Sequence, residues 1–94
     1  MRESEVQRAI LDYLRYRGIL HARTNAGRRG GVHLAPKGWP DITAMYRGRF
    51  VGIEVKSSDG TLRDAQIEAL LLIRDGGGIA IAARDVADVA RMLV

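Results

Sequence analysis

The first hydrophobic stripe along the chain is helical. Val6, Ile10, Tyr13 and Leu14 recur at intervals of three and four, Ser4 and Gln7 precede them in a capping-box spacing, and Gly18 follows as a left-handed terminator. This predicts a helix over residues 5–17. The run 19–24 (ILHART) is short and apolar enough for a strand, whereas 25–31 (NAGRRGG) is too glycine-rich for regular structure and is expected to be mobile. Beyond Pro36 and Pro40, the runs 41–46 (DITAMY) and 50–56 (FVGIEVK) flank Arg47-Gly48-Arg49, the pattern of two antiparallel strands joined by a tight hairpin. Thr61 is placed to cap a second helix carrying Asp64 at its third position. The apolar side of that helix comprises Leu62, Ala65, Ala69, Leu70, Leu72 and Ile73, and Gly76-Gly77-Gly78 ends it. The run 79–83 (IAIAA) has the composition of a buried strand, and Asp85 caps a last helix with Val86, Val89, Ala90 and Leu93 on one side.

The predicted order is therefore α-β-β-β-α-β-α. A strand, a helix and a second strand in one sheet join by a right-handed crossover that makes the two strands parallel. Combined with the hairpin, this predicts an α/β sandwich with a mixed central sheet. Ninety-four residues suffice for one compact core, so residues 1–94 are expected to form a single domain. The chain has no cysteine and two histidines, which excludes a disulfide framework and a thiolate zinc site; any metal must be held by oxygen. No apolar run has the length of a membrane span, and the segment MRESEVQR is too charged for a signal peptide. A soluble, cytoplasmic protein with no membrane partner is expected.

Charge sharpens the picture. The net charge is +4, yet residues 13–40 carry six basic side chains (Arg15, Arg17, Arg23, Arg28, Arg29 and Lys37) and no acid, leaving −2 for the rest of the chain. Such a segment suits a polyanion, with Arg28 and Arg29 on a glycine-rich loop as a phosphate clamp. A solvated arginine-rich surface is the plain alternative. Arginine outnumbers lysine 13 to 2, so the two lysines, Lys37 and Lys56, stand out.

Side chains alternate along a strand, so Glu54 and Lys56 share one face and Val55 takes the other. Asp41 and Glu54 lie at nearly mirrored distances from Gly48, which brings both acids and the lysine within reach of one another across the hairpin. Hard divalent cations such as Mg²⁺ or Mn²⁺ take oxygen ligands of this kind, and the backbone carbonyl of Val55 is available as a third. A metal so held polarises a phosphoryl oxygen, and a lysine ammonium beside it offsets developing charge. The plain alternative is a cross-strand ion pair worth about 0.2 to 1 kcal/mol. Trp39 is expected to be a hydrophobic plug beneath Asp41.

The ordered set Gly38-Trp39-Pro40-Asp41, twelve residues, Glu54-Val55-Lys56, and then Gln66 in the following helix resembles the PD-(D/E)XK nuclease superfamily. Within it the chain is similar to the virus-type replication-repair (VRR-NUC) nucleases, over nearly its whole length. The resemblance implies a restriction-endonuclease-like fold and a metal-dependent DNA endonuclease that hydrolyses phosphodiester bonds. Asp41, Glu54 and the Val55 carbonyl would be metal ligands, Lys56 the catalytic lysine, and Gln66 a helix residue reaching the same site. Glu5 matches the first-helix glutamate of related junction-resolving enzymes, although an acid in a first helical turn has an ordinary role as well. Lys37 and Arg63 border the site, where they could touch phosphates.

The resemblance also implies branched DNA, a four-way junction above all, as the substrate in replication, recombination or repair. A symmetric junction calls for two active sites. A homodimer is therefore expected, with the apolar faces of the two later helices as candidate interfaces. The competing reading is a non-catalytic nucleic-acid-binding or assembly module that keeps the fold and the charge without turnover.

Overall fold

The structure, a computed structural model, describes residues 1–24, 28–29, 32–33 and 35–94, the pairs 28–29 and 32–33 by their backbone alone. Helix α1 (Glu3–Tyr16) leads into β1 (His21–Arg23), a ribbon of β2 (Arg28–Arg29) and β3 (Val32–His33), the hairpin β4 (Ile42–Tyr46) and β5 (Arg49–Val55), helix α2 (Asp64–Asp75), β6 (Ile79–Ala83) and helix α3 (Val86–Met92). The main sheet runs β1-β4-β5-β6, with antiparallel β1/β4 and β4/β5 pairs and a parallel β5/β6 pair. The fold is an α/β domain with a four-stranded mixed sheet and three helices, as the hydrophobic pattern predicts. No described helix is long and apolar enough to cross a membrane.

The two faces of the sheet differ sharply. On one, Ile42 and Ala44 of β4, Val51, Ile53 and Val55 of β5, and Ile79, Ile81 and Ala83 of β6 alternate inward and are buried. They form one core with Val6, Ile10 and Leu14 of α1, the i, i+4, i+8 stripe, and with Val89 and Leu93 at α3. The opposite face carries Phe50, Gly52, Glu54 and Lys56, and α2 packs there. A Cβ on Gly52 would lie 2.6 Å from Ile73 of α2 and 2.9 Å from Pro40, so the missing side chain is what lets the helix approach.

Three local expectations are corrected. The capping acceptors are Glu5 and Gln66, each at the third helical position, which accept from the backbone N–H of Arg2 (3.0 Å) and Arg63 (2.8 Å); Ser4, Gln7 and Thr61 do not set the helix starts. The hairpin turn has two residues rather than three: Arg47 (φ 50°) and Gly48 (φ 79°) both take positive φ, and Tyr46 pairs with Arg49. Regular structure also enters the segment 25–31, because Arg28–Arg29 pair antiparallel with Val32–His33. The expected mobility of that segment falls on residues 25–27 and 30–31, which lie outside the described residues.

The α1 terminus is a Schellman motif, in which Gly18 (φ 68°) donates to the Arg15 carbonyl and Ile19 to that of Leu14, each at 3.0 Å. Just before it, Arg17 donates to the Tyr13 hydroxyl (2.5 Å), the Leu93 carbonyl (3.1 Å) and the Tyr46 hydroxyl (3.2 Å), and lies near both tyrosine rings. It ties the end of α1 to β4 and to the C-terminal segment. Arg17→Ala is accordingly expected to lower the melting temperature by a few degrees, which a thermal melt checks.

Candidate active site on the β4–β5 hairpin

The β4/β5 register pairs Ile42 with Ile53, and one further step sets Asp41 opposite Glu54. Pro40, which precedes Asp41, is fully buried against Gly52. Its carbonyl accepts from the Thr24 hydroxyl at 2.5 Å, and the Asp41 carbonyl accepts from Thr24 N–H at 2.8 Å, so Thr24, just after β1, fixes the backbone on which the acid stands. The plug beneath Asp41 is therefore Pro40 and not Trp39, which is 37% exposed with its ring edge toward Phe50 at 6.0 Å.

Asp41 accepts from the Val55 N–H through Oδ2 at 2.8 Å. In a strand a residue's N–H and C=O face the same edge, so the Val55 carbonyl is directed to the side where Asp41 stands, while the Lys56 N–H turns the other way to Ala83 of β6 (2.9 Å). Glu54 is 3% exposed and Lys56 8%, with Nζ and Oε2 3.9 Å apart, an ion pair too long for a hydrogen bond. Gln66 Nε2 donates to Glu54 Oε2 at 2.9 Å while its Oε1 accepts from Arg63 N–H. One amide thus starts α2 and aims the carboxyl, and the two bonds together fix which way the amide points.

Burial pushes the Glu54 carboxyl up to about 8, reinforced by the hydrogen bond and negative charge of Asp41 and only partly offset by Lys56; Glu3 adds a weaker push in the same direction. Removing a carboxylate and an ammonium from water costs several kcal/mol per ion, far more than a surface pair returns. A bare structural ion pair therefore explains this cluster poorly. Perturbed acids beside a charge partner are characteristic of working sites.

The raised value has a consequence for stability. In metal-free protein Glu54 keeps its proton up to about pH 8, whereas a carboxyl at its ordinary value of 4.5 in the unfolded chain has already lost it. The unfolded state binds fewer protons between those limits, so the Glu54 contribution is fully present below pH 4.5 and is lost as pH rises through 8. In chelator, the melting temperature is expected to fall by about 5 °C or more across that window, and Glu54→Gln to flatten the fall. An equally steep fall in the variant would assign it to other groups.

The remaining sequence candidates lie farther out. Glu5 caps α1 and pairs with Arg2 at 3.4 Å, which lowers its pKa, and it is Glu3 whose charge reaches Glu54. The helical pattern could have flagged Glu3 once α1 was started two residues earlier. Arg63 is the exposed residue preceding α2, Lys37 is exposed in the turn before Gly38, and Arg23 is exposed on β1. Arg15 meets Asp12 at 3.5 Å, Arg17 is held by the two tyrosines, and Arg28 and Arg29 are described by backbone alone. Arg84 is a residue with no sequence signal: it donates to the Ser57 (2.7 Å) and Gly60 (2.6 Å) carbonyls and so holds the turn that follows Lys56.

Among the described residues no group of three or more His, Cys, Asp or Glu is placed to hold a metal, so a cation here would rest on two carboxylates, a backbone carbonyl and water. That donor set fits a hard divalent ion, and two touching carboxyls sheltered from solvent are a pair that such an ion relieves. No protein-family model, curated protein or solved structure matches the chain.

Proposed function

We propose that the chain is a metal-dependent DNA endonuclease, restriction-endonuclease-like in fold and allied to the VRR-NUC nucleases, that hydrolyses phosphodiester bonds in branched DNA. The observation that carries this is the buried Glu54 and Lys56 beside Asp41, with Gln66 reaching in from α2. Asp41, Glu54 and the Val55 carbonyl would hold Mg²⁺ or Mn²⁺. When bound, such an ion polarises a phosphoryl oxygen and lowers the pKa of water.

The chain's own groups supply the rest. Val55 N–H anchors one oxygen of Asp41, and Gln66 anchors one oxygen of Glu54, so both carboxyls are oriented before any ligand arrives. Lys56, at the mouth of the turn held by Arg84, presents a compact ammonium to the reacting phosphate and to the negative charge that grows on it. Lys37 and Arg63 are exposed and placed to meet backbone phosphates, and Arg23 is exposed on β1.

A panel of linear, flap and four-way DNAs incubated with Mg²⁺ or Mn²⁺ tests the proposal. Metal-dependent cleavage that favours the branched substrates is expected. Salt-sensitive binding with no turnover under either metal would replace it with the non-catalytic binding module.

A further inference from the structure

We propose that the cavity beside α2 is a base-stacking subsite, in which Trp39 takes an unpaired nucleobase next to the scissile phosphate. This deepens the nuclease proposal and rests on DNA being the substrate. Trp39 is the only tryptophan of the chain, and it stands two residues before Asp41. Both its neighbours are anchored. The Gly38 backbone seats so closely on α2 that a Cβ there would lie 2.3 Å from the Ala65 carbonyl oxygen, and Pro40 is fully buried. The indole between them is nevertheless 37% exposed, since its contact with Phe50, at 6.0 Å between ring centroids, leaves the rest to solvent. A large aromatic ring held on a fixed backbone and left open to water is what a stacking ligand uses.

Trp39 and Phe50 line a cavity of about 700 Å³ together with Lys37, Ala65, Glu68 and Ala69. The two alanines give α2 short side chains there, which leaves room for a flat ring. Position and charge choose the occupant. Two residues of chain reach at most about 7 Å, so a base on Trp39 belongs to a nucleotide at or beside the phosphate that Asp41 would serve. Lys37 is exposed on the same short segment and supplies a cation for that nucleotide's own phosphate. Glu68, also exposed, would repel a phosphate inside the cavity, whereas it accepts from the exocyclic amine of adenine, cytosine or guanine. A purely apolar partner would use neither charge. Bases of a linear duplex are stacked and paired, and taking one out costs least where it is already unpaired. The subsite thereby gives the chain a preference for branch points and single-stranded flanks over uninterrupted duplex.

Trp39 emission reports the contact directly, and in chelator it does so without cleavage. The full chain is titrated with a DNA single strand, with the same strand carrying abasic sites throughout, and with a linear duplex of equal length. Binding is followed separately by anisotropy of a labelled end. The single strand is expected to quench Trp39, the abasic strand to bind without quenching, and the duplex to quench weakly. Trp39→Leu should weaken binding of the base-bearing strand by about tenfold or more and change that of the abasic strand by less than about twofold, while Trp39→Phe keeps most of the affinity. The wild-type titration needs no variant, which keeps the test valid if Trp39→Leu folds poorly. Equal quenching by the abasic strand would overturn the inference, as would a base-bearing strand that fails to bind or that binds without quenching. Emission that changes with protein concentration and with none of the strands would give the cavity to a second copy of the chain, and would also overturn it. Cleavage without quenching removes the subsite and leaves the nuclease; quenching without cleavage under Mg²⁺ or Mn²⁺ leaves a base-binding site and removes the nuclease.

Discussion

Lys56→Met is expected to reduce the single-turnover rate of DNA cleavage by about 10²- to 10⁴-fold while leaving the fold and divalent-cation binding in place. Methionine keeps most of the buried stem, which lies near Gly60 in the turn after β5, and removes only the ammonium. The fold tolerates this because the burial of Glu54 keeps that carboxyl protonated at neutral pH in the absence of metal, so no uncompensated buried carboxylate is left behind. The comparison is made by quenched-flow or manual time courses beside calorimetric titration with Mn²⁺. A variant that cleaves at the wild-type rate would remove Lys56 from the chemistry.

Gly38→Ala is expected to have the largest effect on stability of any single methyl addition near the site. Gly38 takes φ 82°, where a residue with a Cβ is strained by about 1 to 2 kcal/mol. The added Cβ would also lie 2.3 Å from the Ala65 carbonyl oxygen, a backbone atom in the first turn of α2 that cannot rotate away. Overpacking of that kind costs a further ~1 to 3 kcal/mol. Together these predict a fall of at least about 10 °C in melting temperature. Gln66 is the next residue after Ala65, so whatever displacement relieves the clash also disturbs the bond from Gln66 to Glu54. A melting curve checks the first effect, and cleavage at a temperature where the variant is still folded checks the second. A variant as stable as wild type would mean that the loop before Pro40 and the start of α2 are not locked together.

Much of this arrangement is legible in the sequence, for identifiable reasons. The hairpin is specified by Arg47-Gly48 between two alternating runs, and once its register is set the opposition of Asp41 and Glu54 follows from counting. The parallel β5/β6 pair follows from a strand, a helix and a strand in series. What could not be read depends on partners distant in sequence. Arg17 has the composition of a phosphate contact, yet it bonds Tyr46 and Leu93, 29 and 76 residues away. Gln66 is singled out by the family resemblance alone, and the two amide bonds that place it, to Arg63 and Glu54, are not set by its local sequence. Pro40 takes the plugging role expected of Trp39 because Gly52 leaves a hollow that the proline ring fills. The depth at which Glu54 and Lys56 are buried is likewise a property of how α2 covers the sheet. It is also what raises the proposed chemistry above a surface ion pair.

Cleavage of an end-labelled four-way DNA junction started by Mg²⁺, with Asp41→Asn protein purified in parallel, separates a nuclease from a binding module. Discrete products are expected from the wild-type chain, none in chelator and none from Asp41→Asn, since that substitution removes one of the two carboxylates on which a cation would rest. Absence of cleavage by the wild-type chain with either Mg²⁺ or Mn²⁺, or equal cleavage by Asp41→Asn, would contradict the nuclease proposal.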